Sequence, residues 1–458
     1  MKLKEYISFA VANFANGTMG TMVGGYLWQF YSSIGISDRV TSRILAVTRI
    51  WDSINDPIAA TIIDNGRSPK GKFTPYMKLG PLVSLMTIPM FIKPPFTGFW
   101  PVVIWCVAAY TLWETTGTFF GTAFSAMQTV MSRDQQERSN YITIGNLGGK
   151  LSGAVPGLIP VALEVLTKYM PRSRFYTLAA VLFGVIGGAA ALFGLNLKER
   201  VQPPKQQQHF WESFVTFLKN KQLILLWTAN ISNIVGCISW AANQFFFIHS
   251  LGNYGYQTLI WTLTGIPGFI AMTIAPFFTK RFRPSRIVIF ANLLGAGCMF
   301  ATWLAGSAVG YATPLGIALT IGFALISALP GSVRDVAANI CSVNTYDWCE
   351  WETGKRAEAT SMVATGMLNK WIDALGKLAA GAALAFIKFD GRDGVVQTQT
   401  TKDGLFFLFA IPQGVAQLIS ALPYFFFRAE GREFDRVRAQ LEERRKAVLE
   451  TQPETAVV

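Results

Sequence analysis

Apolar blocks alternate with short polar segments along the whole chain, and each block, at about 20 residues or more, is long enough to cross a bilayer as a helix. Twelve spans are predicted, over residues 6–34, 40–63, 76–92, 101–131, 141–166, 175–195, 223–249, 257–278, 287–305, 315–343, 359–387 and 405–427. A polar stretch with Pro203-Pro204 and three successive glutamines separates the sixth span from the seventh. The pattern predicts an all-α membrane protein with two six-helix bundles, over 1–197 and 222–428. A central cytoplasmic loop (198–221) joins them, and a basic cytoplasmic tail (429–458) follows. The first span follows Lys2 and Lys4 and has no small-residue cleavage site, so it is read as a retained span.

Charge orients this pattern. The loops after even-numbered spans are basic, as in Arg67 to Lys72, Lys280 to Arg283, and Lys355-Arg356. The positive-inside rule then puts both termini in the cytoplasm of a cell whose inner membrane the chain crosses many times. The halves echo each other. A Pro-bearing basic loop follows spans two and eight, and a Lys lies about a dozen residues into spans five and eleven, at Lys150 and Lys370. In the tail, Phe434, Val437 and Leu441 are spaced i, i+3 and i+7, which predicts a short helix at the membrane interface.

Composition agrees and narrows the function. The chain of 458 residues is 51% hydrophobic and only 15% charged, against roughly a quarter charged in soluble domains. Its net charge of +13 lies largely in the loops, so a nucleic-acid partner is not expected. The five cysteines are scattered, and His209 and His249 have no ligand-like neighbours. With no metal motif, nucleophile constellation or phosphate loop, the sequence predicts no enzyme and no cofactor.

Several polar residues lie inside the spans, where charge costs a few kcal/mol or more. Asp52, Asn55 and Asp56 share one face of span two at i, i+3 and i+4. They either tie helices together, with Arg49 one turn earlier, or bind a small cation. Span four carries Glu114, Thr115, Thr118 and Thr122. Its threonines either bond back to their own helix or supply oxygens to the cation. In span five, Asn146 and Lys150 lie among glycines that permit close helix approach, and Lys150 either snorkels or faces a pocket. Arg334-Asp335 follows Pro330-Gly331, a predicted helix break, and is either a local pair or part of a cavity. In span eleven, Asp373 and Lys377 are spaced to pair at i, i+4. Asn13, Asn16, Trp240 and Asn243 suit a hydroxyl-rich ligand and are equally normal as interhelical contacts.

Three segments carry a family resemblance: Arg49-Ile-Trp-Asp-Ser-Ile-Asn-Asp-Pro57, Arg67-Ser-Pro-Lys-Gly-Lys-Phe73 with Pro75, and Tyr346 through Glu358. In the third, Cys349 stands where Gly is usual. Across nearly its whole length the chain resembles the glycoside-pentoside-hexuronide:cation symporters, the melibiose-permease type of major-facilitator protein. The resemblance implies sugar transport coupled to sodium or a proton by alternating access. It implies that Asp52, Asn55, Asp56 and Thr118 hold the cation, with Asp52 and Asp56 as the sodium ligands if sodium is used. Lys370 matches the residue expected to stand in for the cation.

The sugar side departs from the galactoside carriers. Gly17 and Gly121 fall where those carriers place aspartates, Asn146 where they have Arg, and Asp335, beside Arg334, where they have Trp. Loss of two carboxylates while Lys150 remains favours an anionic ligand. The expected substrate is therefore an acidic sugar: a hexuronide, a uronide oligomer or a sulfonated sugar. Rival expectations are a lysolipid-type carrier on the same fold and a non-transporting membrane sensor. The protein is expected to act as a monomer in membrane lipid.

Overall fold

A computed structural model describes residues 2–66, 68, 71–132, 141, 144–145, 148–149, 151–200, 218–353, 358–392 and 394–451. All regular structure among them is helical. The long helices follow the apolar blocks: α1 (Lys2–Ser33), α2 (Asp38–Asn65), α3 (Leu79–Met90), α4 (Phe99–Val130), α5 (Leu151–Leu166) and α6 (Arg172–Asn196). Then come α7 (Lys221–Ser250), α8 (Gly255–Arg281), α9 (Pro284–Val309), α10 (Pro314–Thr353), α11 (Glu358–Phe386), α12 (Gln399–Phe426) and the tail helix α13 (Gly431–Thr451). Of the described helices, α6, α7, α9, α10 and α12 are long and apolar enough to cross a membrane on composition alone. In α2, three arginines and four aspartates interrupt the apolar run.

The chain forms two compact units. The first holds Met1–Gln206, Gln244–Thr258 and Ala380–Asp403. In it, α1 and α3 pack on α6, and α2 packs along α4. Phe9 stacks on Phe124 with centroids 5.0 Å apart, in a core that also buries Phe120, Met127 and Tyr141. Backbones approach closely where α1 meets the chain before α5. A Cβ on Gly148 would overlap the Ala10 carbonyl, so the predicted glycine contact is present. The α1–α2 turn closes on Asp38, whose Oδ1 accepts from Trp28 Nε1 at 2.7 Å and Ser32 Oγ at 2.6 Å. Burial raises this carboxyl above its ordinary range against those two bonds, and the charge of Asp390 adds to the rise.

The second unit holds Gln207–Asn243, Leu259–Ala379 and Gly404–Val458. Its most extensive pairing is α9 against α10. Two expectations fail here. Helix α10 runs unbroken through Pro330, and it continues ten residues past the predicted end of its span at 343, to Thr353. The motif at Tyr346 is thus mostly helix rather than loop, because Tyr346, Trp348 and Trp351 find apolar partners. The tail helix does not offer its apolar face to lipid. Phe434, Val437 and Leu441 are buried against Val288, Ala337 and Cys341, each worth about 1.5–3 kcal/mol if fully removed from water. Trp351 Nε1 donates to Gln440 Oε1 at 2.7 Å and fixes the docking.

One device recurs in both units. Glu199, just past α6, accepts from the backbone N–H groups of Lys72, Phe73 and Thr74 at 2.7–2.8 Å and from Thr74 Oγ1 at 2.9 Å. Glu430, just past α12, accepts from Ser285 N at 3.0 Å and Ser285 Oγ at 2.5 Å. Each carboxylate satisfies orphan donors where a helix begins after a basic loop.

Candidate functional site

The α2–α4 contact gathers the polar residues of spans two and four. Asp52 and Asn55 are buried, and Asp56 is half-buried one turn further on. Helix α2 continues through Pro57, which has no N–H to give the Ser53 carbonyl four residues earlier. On α4, Thr118 Oγ1 lies 3.3 Å from Asp52 Oδ1 and 3.0 Å from the Glu114 carbonyl. One hydroxyl proton thus faces two acceptors. The Asn55 Nδ2 is buried with no hydrogen-bond partner among the described residues.

A guanidinium joins this group. Arg49 Nη1 donates to Glu114 Oε1 at 3.2 Å and lies 3.6 Å from Asp52 Oδ2. Trp51 Nε1 donates to Thr115 Oγ1 at 2.9 Å, a second tie between the two helices. The helix-tying alternative is thus present in this cluster. Arg49 ties the helices, Thr115 and Thr118 bond back to Thr111 and Glu114, and Asp52 and Thr118 still converge. Sequence reasoning singled out Glu114 without giving it a role. Its signal was the one-turn spacing to Thr118.

The predicted substrate residues that are described lie on α1, α4 and α10. Asn13 Nδ2 donates to the Gly145 carbonyl at 2.7 Å, an interhelical use, while Asn16 is half-buried on the same helix. The two glycines differ. A Cβ on Gly17 would overlap the Ser152 side chain, whereas a Cβ on Gly121 meets nothing within 4 Å. Close packing explains the glycine at 17; open space surrounds the one at 121. Asn146 and Lys150 lie outside the described residues. Arg334 donates from Nε and Nη2 to Asp335 Oδ1 at 3.0 and 2.8 Å, and from Nη1 to Asn292 Oδ1 of α9 at 3.2 Å. This is a local pair with one interhelical bond.

In the second unit Lys370 is half-buried on α11. Its neighbour Asn369 accepts from Trp227 Nε1 and Asn230 Nδ2 at 3.1 and 3.0 Å. Asp373 pairs with Lys377 at 3.8 Å, as its spacing predicts. Trp240 is exposed and stacks on Trp261, centroids 6.3 Å apart.

Comparison with known proteins adds the family. The model of the family described as MFS/sugar transport protein matches residues 8–430. An uncharacterized symporter of Bacillus subtilis (strain 168) is 25% identical over 405 residues, which cover 85% of this chain and 84% of the relative. A Salmonella typhimurium protein named, provisionally, a sulfoquinovose importer is 24% identical, with 97% of this chain and 94% of the relative covered. Among solved structures, a mutant of the nucleoside transporter NupG superposes with a TM-score of 0.64 at 12% identity, covering 93% of this chain and 99% of that one. The fold is thus that of the major-facilitator transporters.

Proposed function

This chain belongs to the MFS/sugar transport protein family, and we propose that it is a cation-coupled symporter of an acidic sugar in the inner membrane. Membership makes it a multi-pass sugar transporter rather than an enzyme. The coupling ion is held by Asp52, Asn55, Asp56 and Thr118. The observation that carries this assignment is the Thr118 hydroxyl between Asp52 and the Glu114 carbonyl. Its single proton is shared between the two oxygens, and a sodium ion or an added proton at Asp52 would free it for the carbonyl. Ion binding lowers the charge at Asp52 and Asp56 and favours the substrate-accepting state. Transport proceeds by alternating access, with both termini in the cytoplasm.

The test is uptake into vesicles under an imposed sodium or proton gradient. Asp52→Asn is expected to lose gradient-driven accumulation while retaining expression and counterflow of substrate. Normal accumulation would refute the assignment.

The acidic substrate rests on narrower support. Gly121 leaves open space where galactoside carriers place a carboxylate, and one relative is named for a sulfonated sugar. Gly17 no longer contributes, since Ser152 accounts for it. Uronates and sulfonated sugars are expected to compete for uptake. Competition by neutral glycosides alone would remove this part of the proposal.

A further inference from the structure

The α2–α4 contact holds one buried carboxylate to which ion binding gives no task. Glu114 lies one turn before Thr118, and its Oε1 accepts from Arg49 Nη1 at 3.2 Å. The same nitrogen lies 3.6 Å from Asp52 Oδ2. One guanidinium therefore stands between carboxylates of two helices, nearer the one outside the proposed ion ligands. The two contacts arise differently. Arg49 and Asp52 meet by helical register at i, i+3. Arg49 and Glu114 are 65 positions apart and meet only because α2 packs on α4.

A guanidinium and a small cation compete for the oxygens of Asp52, since like charges at that separation repel. Resting on the coupling role of Asp52, we propose that Glu114 is a positioning residue that draws Arg49 aside and so opens Asp52 to the coupling ion. When the ion leaves, a short shift returns the guanidinium to Asp52. Glu114 thus sets the affinity of the ion without being its ligand. Arginine suits this task because its planar fork can engage two acceptors at once.

The test uses the full-length protein in detergent. Thermal stabilisation is titrated with sodium chloride against choline chloride, and separately with pH steps. Glu114→Gln keeps size and a hydrogen-bond acceptor but loses the charge that holds Arg49. The half-saturating ion concentration is expected to rise about tenfold, within the usual range for coupling between two sites, with the maximal stabilisation unchanged. Glu114→Asp should recover most of the affinity. In an Arg49→Gln background, Glu114→Gln should have little effect, because there is no guanidinium to position.

An equal loss of affinity with and without Arg49 would overturn the proposal, since Glu114 would then act only as added negative charge. So would an unchanged half-saturation, or a lowered maximal stabilisation, which marks a purely structural role. If Arg49→Gln does not fold, Arg49→Lys replaces it. Lysine lacks the second terminal nitrogen and the planar fork that hold Glu114 in one geometry, so the effect of Glu114→Gln should shrink to less than half. Asp52→Asn separates the two levels. A variant silent to the ion with Glu114→Gln at wild-type affinity sinks only this inference, whereas an ion response that survives in Asp52→Asn sinks the coupling assignment as well.

Discussion

The charged pairs inside the spans of the two units are built in different ways. In the first unit, Arg49 reaches from α2 to Glu114 on α4, and Thr118 reaches back from α4 to Asp52. In the second, Arg334 pairs with its neighbour Asp335, and Asp373 pairs one turn away with Lys377. A same-helix pair is closed by register and survives any movement of its helix. A cross-helix group exists only while two helices keep their spacing, and its members can trade partners without backbone cost. That makes α2–α4 suited to respond to an ion, and the α10 and α11 pairs suited to carrying charge quietly. The largest consequence should appear at Asp56. Asp56→Cys is expected to abolish gradient-driven accumulation, whereas Lys377→Met should leave it near wild type. Equal losses in the two variants would erase the distinction.

The next effect tests packing rather than charge. Gly17→Ala forces a Cβ into the Ser152 side chain, and overpacking of this kind costs about 1–3 kcal/mol. Gly121→Ala enters open space and should stay within about 0.5 kcal/mol. Thermal unfolding of both variants in the same detergent checks this. A reversed order would mean that Gly121 faces a surface that closes on it.

How much of this was legible in the sequence follows from what each feature depends on. The helices track the predicted spans closely because twenty apolar residues are a local signal. Helix α10 overran its prediction because Tyr346, Trp348 and Trp351 are amphipathic, and only their burial reveals that the helix goes on. The Arg49–Asp52 contact was readable from its spacing. The Arg49–Glu114 contact was not, since no local pattern says that α2 packs on α4. The approach of Thr118 to Asp52 was an open alternative from residue types, and the family resemblance pointed to it more sharply. Gly17 was read as a missing carboxylate, yet its nearest neighbour is Ser152. Glu199 and Glu430 were overlooked because single acids in basic segments look like solvated charge.

Those two carboxylates offer a smaller, graded test across units. Glu199 accepts four hydrogen bonds and Glu430 two. Leaving such donors unmet costs about 1–3 kcal/mol where they are buried. Glu199→Ala should therefore lower the melting temperature more than Glu430→Ala. If the two fall equally, the helix-start charge rather than the number of bonds sets the effect.

The smallest effect is expected at Asp335, and it decides whether the α10 pair is as self-contained as its geometry. The Asp335 side chain is 62% exposed, and Arg334 keeps a third hydrogen bond to Asn292 when Asp335 changes. Exposed ion pairs contribute about 0–1 kcal/mol, so Asp335→Asn should shift stability by no more than that. The substitution leaves the Oδ1 acceptor in place and removes only charge. Arg334 then gains net positive character without moving. If the pair is purely local, the KM for an acidic sugar stays at its wild-type value. If Arg334 faces the substrate path, the same substitution lowers the KM for acidic sugars and leaves neutral ones unchanged. Stability and KM together thus separate a pair that carries charge quietly from one that Asp335 holds partly neutralised for the substrate.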